Sequence, residues 1–128
     1  MAKRILNIVE CGYRATLEEQ DDTVLWLTHA MRAAGGDVHV LLCGNAVAYA
    51  VAAQDASGIS IGRWRQTHPP RLADDVRALV DQGASVHYVV EDARERGIGA
   101  GELVPGVAPV ARADCAHLLA AHDLVFHW

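Results

Sequence analysis

Apolar residues fall along this chain in two alternating patterns: short continuous runs, and stretches where they recur every third or fourth position. The first run, RILNIVE at Arg4–Glu10, is β-branched and nearly unbroken, as expected of a strand buried on both faces. TLEE at Thr16–Glu19 matches a capping box, whose hydroxyl and carboxylate satisfy free amides of a first turn. Val24, Leu27, Met31 and Ala34 then keep helical spacing until Gly35-Gly36 ends it. DVHVLL at Asp37–Leu42 predicts a second strand, and the alanine-rich Asn45–Ala53 a short helix.

Periodicity lapses from Gln54 to Pro70, which reads as a long irregular connection. Pro69-Pro70 then opens a helix with Leu72, Val76, Leu79 and Val80 on one face, closed by Gly83. SVHYVV at Ser85–Val90 predicts a third strand, and Glu91–Arg96 a short helix ended by Gly97. A fourth strand is expected at Val107–Val110, a helix at Ala113–Ala121 and a terminal strand at Leu124–His127. No hairpin signal joins neighbouring strands, and parallel strands need crossover helices. The pattern predicts an α/β fold, a three-layer α/β/α arrangement with a mostly parallel five-stranded sheet, forming one domain over residues 1–128.

A chain of 128 residues can bury one core without disulfides or metals. Its 52% hydrophobic and 21% charged residues argue against disorder and permit a surface hidden in an oligomer. A net charge of −5 disfavours a nucleic-acid partner, which would call for a basic face. No apolar run approaches the roughly 20 residues of a membrane helix. The basic start followed by Ile5–Val9 superficially suggests a signal peptide, but Asn7 interrupts the run and no small-residue cleavage site follows. Three cysteines, an odd number without framework spacing, point to the reducing cytoplasm.

Open α/β sheets bind ligands outside the carboxyl ends of their strands. The sequence places Glu10, Cys11, Gly12, Tyr13 and Arg14 there after the first strand, and Cys43, Gly44 and Asn45 after the second. Glu91 and Asp92 follow the third strand, and His127-Trp128 the last. Gly12, Tyr13, Arg14, Gly44 and Asn45 are thus candidate ligand-binding residues. Cys43 is the leading candidate thiol. If Asn45 caps the following helix, the free amides and dipole at its N-terminus favour a thiolate. The contrary reading makes Cys43 a small apolar filler. Cys11 is a weaker candidate, because Glu18, Glu19, Asp21 and Asp22 crowd the next helix with negative charge. The same acidity, with Gly12 alone in place of a glycine-rich loop, argues against phosphate binding. Cys115, one turn before Leu118 and Leu119, reads as core.

His39 and His87 sit inside strands and define no common site, while His29, His117 and His122 fit solvated or capping roles. No CxxC, HxxxH or HExxH pattern occurs, so neither a metal nor a cofactor is expected. In RWRQTH, Arg63, Arg65 and His68 surround Trp64, a further candidate for binding an anion, capping the cleft or contacting another subunit.

Taken together, RILNIVECGYRAT, DVHVLLCGNAVAYAV, VHYVVEDARERGI and DLVFHW resemble the DsrE/DsrF-like family of small sulfur-relay proteins, which includes TusBCD and YchN-type members. The resemblance spans nearly the whole chain and rests on segment order and character. It implies a five-stranded α/β/α fold, a homo-oligomer (trimer or hexamer), and a sulfur-donor or sulfur-acceptor protein as partner. In active members a cysteine at the end of the third strand carries persulfide sulfur. Counting back from Arg96-Gly97, that position here is Val89. Two expectations follow: a sulfur carrier that uses Cys43 or Cys11 instead, or a non-catalytic binding or assembly subunit that keeps the fold.

Overall fold

A computed structural model describes residues 2–13 and 22–128. Strand β1 (Arg4–Val9) is followed by helix α1 (Thr23–Ala33) and strand β2 (Asp37–Leu42). A 3₁₀ segment (Gly44–Ala50) and two short strands, β3 (Ser60–Ile61) and β4 (Trp64–Arg65), lead to helix α2 (Leu72–Asp81). Strand β5 (Val86–Val89) runs directly into helix α3 (Val90–Glu95). Strand β6 (Ala108–Val110), helix α4 (Cys115–Ala120) and strand β7 (Leu124–His127) complete the order.

Five strands form one sheet in the order β6-β5-β2-β1-β7, and every pairing in it is parallel. Because side chains alternate across a strand, each central strand serves two cores. Val9, Val40, Leu42 and Val86 pack under Val24 and Leu25 of α1 and Leu72, Val76 and Leu79 of α2. On the opposite face Leu6, Ile8, Leu41 and Val89 meet Leu118 and Leu119 of α4. This is the three-layer α/β/α arrangement expected from the alternation of runs.

Two local expectations change, and a third is not tested. Ile61 and Trp64 pair across a two-residue turn, so the 54–70 connection contains a hairpin that the hydrophobic pattern does not announce. Gly62 supplies the turn with a left-handed φ of +59°, the geometry that closes such hairpins. The segment after β2 winds as a 3₁₀ helix, and side chains pin its C-terminal end. Gln54 Nε2 donates to the carbonyls of Ala48 and Tyr49 at 2.9 Å each, and the Tyr49 hydroxyl donates to Asp22 Oδ2 at 2.6 Å. The Thr16–Glu19 capping box lies outside the described residues.

Asp22 is the N-cap of α1. It is fully buried, and its Oδ1 accepts from the amides of Val24 and Leu25 at 2.9 and 3.1 Å. One carboxylate thereby starts α1 and fixes the 3₁₀ segment across the core. Tyr49, also fully buried, accepts in turn from the Tyr13 amide. Replacing Asp22 removes the cap, worth about 1 kcal/mol. It also strands a buried hydroxyl at a cost of roughly 1–3 kcal/mol. Asp22→Ala is therefore expected to lose about 2–4 kcal/mol in urea unfolding, while Tyr49→Phe, which removes the hydroxyl but keeps the ring, loses less.

Candidate functional site

The backbone ladder of the sheet runs past the ends of its three neighbouring strands. The Cys43 amide donates to the Val9 carbonyl at 3.0 Å, the Trp128 amide to Ile8 at 2.9 Å, and the Glu10 amide to Trp128 at 3.2 Å. Glu10, Cys43 and His127 continue the alternation of Ile8, Leu41 and Val125, so all three side chains leave the sheet on the α4 face. One oxygen, sulfur or nitrogen from each lies within 4.8 Å of the other two. Glu10 Oε2 and His127 Nε2 are 2.6 Å apart. Gly44 makes room for this arrangement. Its φ is +55°, and a Cβ there would stand 3.3 Å from Glu10 Cγ.

The surroundings reverse the expected acidity of Cys43. Burial pushes its pKa up to about 11, the negative charges of Glu10 and Asp92 add to that effect, and Arg96 opposes it. The expected helix N-terminus does not compensate: the following segment is 3₁₀, and its first amide, at Gly44, donates to Asp92. Asn45 is engaged elsewhere, its Oδ1 accepting from Arg96 Nε at 3.0 Å. Burial raises the Asp92 pKa, but the Gly44 amide at 2.7 Å and Arg112 Nη2 at 2.6 Å more than offset it and hold it below the usual carboxylate range. Asp92 therefore stays charged beside the thiol.

The other candidates divide between two places. Gly12 approaches Asn45 closely, since a Cβ on Gly12 would lie 3.3 Å from the Asn45 carbonyl carbon. Gly12, Cys43, Gly44 and Asn45 thus form one strand-end surface. Cys11 is exposed, and all three cysteines are free thiols. Tyr13 turns away, lining a cleft of about 330 Å³ with Gln54, Ile59, Gln66, Pro69 and Leu72. Trp64 is exposed on the hairpin and does not line that cleft. Arg14 lies outside the described residues.

Val89, at the position where the resembled family keeps its cysteine, is buried, and Cys43 and Cys115 both pack against its cluster. Cys115, expected in the core, is half-buried at its edge. One strand histidine, His39, meets His122 just past α4. The His39 and His122 rings stand edge to face at 5.6 Å, and His87 feels the charge of both. Burial holds His39 and His87 toward the neutral form. Glu10 and His127 were legible as strand-end residues, but their convergence with Cys43 depends on β1 lying between β2 and β7.

The raised pKa leaves Cys43 with roughly a hundredth of the thiolate of an ordinary cysteine at neutral pH. Alkylation by iodoacetamide, followed residue by residue by mass spectrometry, should label Cys11 first. The Cys43 rate should climb with pH toward an apparent pKa near 11. Labelling of native Cys43 faster than Cys11 at neutral pH would contradict this electrostatic account.

No protein-family model matches the sequence, and no curated protein sequence matches it significantly. Solved structures do match over essentially the full chain. The YchN protein of E. coli superposes with a TM-score of 0.73 at 19% identity, covering 100% of both chains. MTH1491 of Methanobacterium thermoautotrophicum, a protein of unknown function, gives 0.66 at 12% identity over 98% of this chain and 99% of its own. BT1422 of Bacteroides thetaiotaomicron, also of unknown function, gives 0.66 at 11% identity over 97% of this chain and 94% of its own. The fold implied by the resemblance to DsrE/DsrF-like proteins is the fold that this chain shares with YchN.

Proposed function

We propose that this chain is a binding and assembly subunit of the sulfur-relay type, working as a homo-oligomer of trimeric or hexameric order. The observation that carries this reading is strand β7. It is an outer strand of the five-stranded sheet, all four of its residues are exposed, and Leu124, Val125, Phe126 and the adjoining Trp128 are each 38–41% accessible. Natural sheets blunt open edges with charge, proline or bulges. LVFH at 124–127 carries neither proline nor a lysine, arginine or carboxylate, and it presents contiguous apolar surface beside an open ladder. A second copy of the chain covers such an edge by burying those side chains, each worth about 1.5–3 kcal/mol when fully buried. Val89 in place of the family's cysteine and the suppressed acidity of Cys43 favour docking over persulfide transfer as the chain's role. A sulfur-donor or sulfur-acceptor protein is the partner in keeping with this fold.

Light scattering on the eluting protein at micromolar concentration should give a multiple of the 13.8 kDa chain mass. Phe126→Glu should shift the mass to the monomer while the circular dichroism spectrum stays native. A wild-type monomer at that concentration would sink the assembly reading.

A second reading is favoured by the Glu10–His127 pair beside Cys43. Here His127 takes the Cys43 proton, and the thiolate attacks the outer sulfur of a donor persulfide. The donor leaves as a thiolate, which takes up a proton, and Cys43 becomes the persulfide. On this reading, incubation with a persulfide donor adds one sulfur atom to the wild type and none to Cys43→Ser. Equal loading of both proteins, or loading of neither, removes it.

A further inference from the structure

We propose that Glu10, Cys43 and His127 together form a binding site for a divalent zinc-class ion at the carboxyl edge of the sheet. This goes beyond the assembly reading and does not depend on it. The three groups are a carboxylate, a thiol and an imidazole, the donor set that zinc takes in proteins. One donor atom from each already lies within 4.8 Å of the others. Tetrahedral bonds of zinc length would set the donor atoms roughly 3.3–3.6 Å apart. The present spacing therefore needs only side-chain adjustment, with the 2.6 Å Glu10–His127 contact opening slightly as the ion replaces the proton between them.

The backbone under the site is already ordered. The Cys43 and Glu10 amides donate hydrogen bonds to the carbonyls of Val9 and Trp128, and His127 lies in β7, paired with β1. Gly44 lacks the Cβ that would crowd Glu10, which leaves that side chain free to reach across the strand ends. Asp92, fixed by the Gly44 amide and Arg112, adds negative charge nearby. In the single chain the ion's approach is open, because the Glu10 and His127 side chains are 57% and 56% exposed. A thiolate and an imidazole select zinc, cobalt(II) or iron(II) over calcium and magnesium. Three protein donors leave a fourth position for water or a soft anionic ligand. On binding, the thiol proton is released to solvent and the sulfur joins the metal as thiolate. Sequence spacing gives no hint of such a site, because its three donors come from three strands.

Cobalt(II) serves as the optical probe. Metal-free full-length protein, kept reduced with a phosphine, is titrated with cobalt(II) and then with zinc(II). The wild type should develop a thiolate-to-cobalt charge-transfer band that saturates at one equivalent and is displaced by zinc. Cys43→Ser should abolish the band, and Cys11→Ser should keep it. Glu10→Gln and His127→Ala should each weaken cobalt binding by about tenfold or more, at least the loss seen when second-shell partners of a metal site are removed. Both residues are more than half exposed, so these variants test the site even if Cys43→Ser folds poorly. A wild type without the band at excess cobalt, a band retained in Cys43→Ser, or unchanged affinity in both Glu10→Gln and His127→Ala overturns the proposal. Light scattering of Glu10→Gln keeps the two readings apart, since the oligomer mass should not depend on this site.

Discussion

The hydrogen-bonded ladder on either side of β1 is the constraint on which the rest of this structure depends. β1 pairs in parallel with β2 along six residues and with β7 along four, so three strand ends must emerge together at one edge. The ladder does not stop where the strands do. Amide bonds at Glu10, Cys43 and Trp128 carry it past the last paired residues and fix where those side chains begin. Parallel pairing also dictates the crossover helices, and with them the two separate cores above and below the sheet.

Buried polar groups set the position of the irregular parts. Asp22 and Tyr49 are both fully buried, and a lone carboxylate or hydroxyl there would be costly. Paired, they tie the start of α1 to the segment after β2. Asn7 and Thr28 make a second such link, Asn7 Nδ2 donating to the Thr28 hydroxyl at 3.0 Å between β1 and α1. Polar residues inside an apolar core accept few alternative placements, because each displacement leaves donors and acceptors unmatched. The placement of Gly44–Ala50 is one consequence, since Tyr49 has to meet Asp22.

The strand-end surface is anionic where a low-pKa thiol would need positive charge. Glu10 and the ionised Asp92 flank Cys43, and Arg112 is largely committed to Asp92 and Glu95. Burial chiefly keeps the sulfur protonated, and the carboxylates that add to this effect would favour a cation among them. Charge around the thiol thus separates two chemistries that the residue type alone leaves open. Val89 stands where the resembled family keeps a cysteine, so the thiols present lie beside that position rather than at it.

Sequence by itself determined the elements and their class. The runs at Arg4–Val9, Asp37–Leu42 and Leu124–His127 are strands, and the spacing of Leu72, Val76 and Leu79 does bury one face of α2, because periodicity is a local property of the chain. It also marked Cys43, Gly44 and Asn45 as strand-end residues. It missed the hairpin at Ile61–Trp64, whose strands are too short to show alternation. It marked a short helix at Asn45–Ala53 but could not tell its 3₁₀ winding, nor that Asn45 would be taken by Arg96 rather than cap it, because the partners Arg96 and Asp22 lie far away in the chain. Only the tertiary structure decided that β1 lies between β2 and β7, and hence that Glu10, Cys43 and His127 meet. Strand order and the burial that raises a pKa arise from long-range packing, which local patterning does not encode.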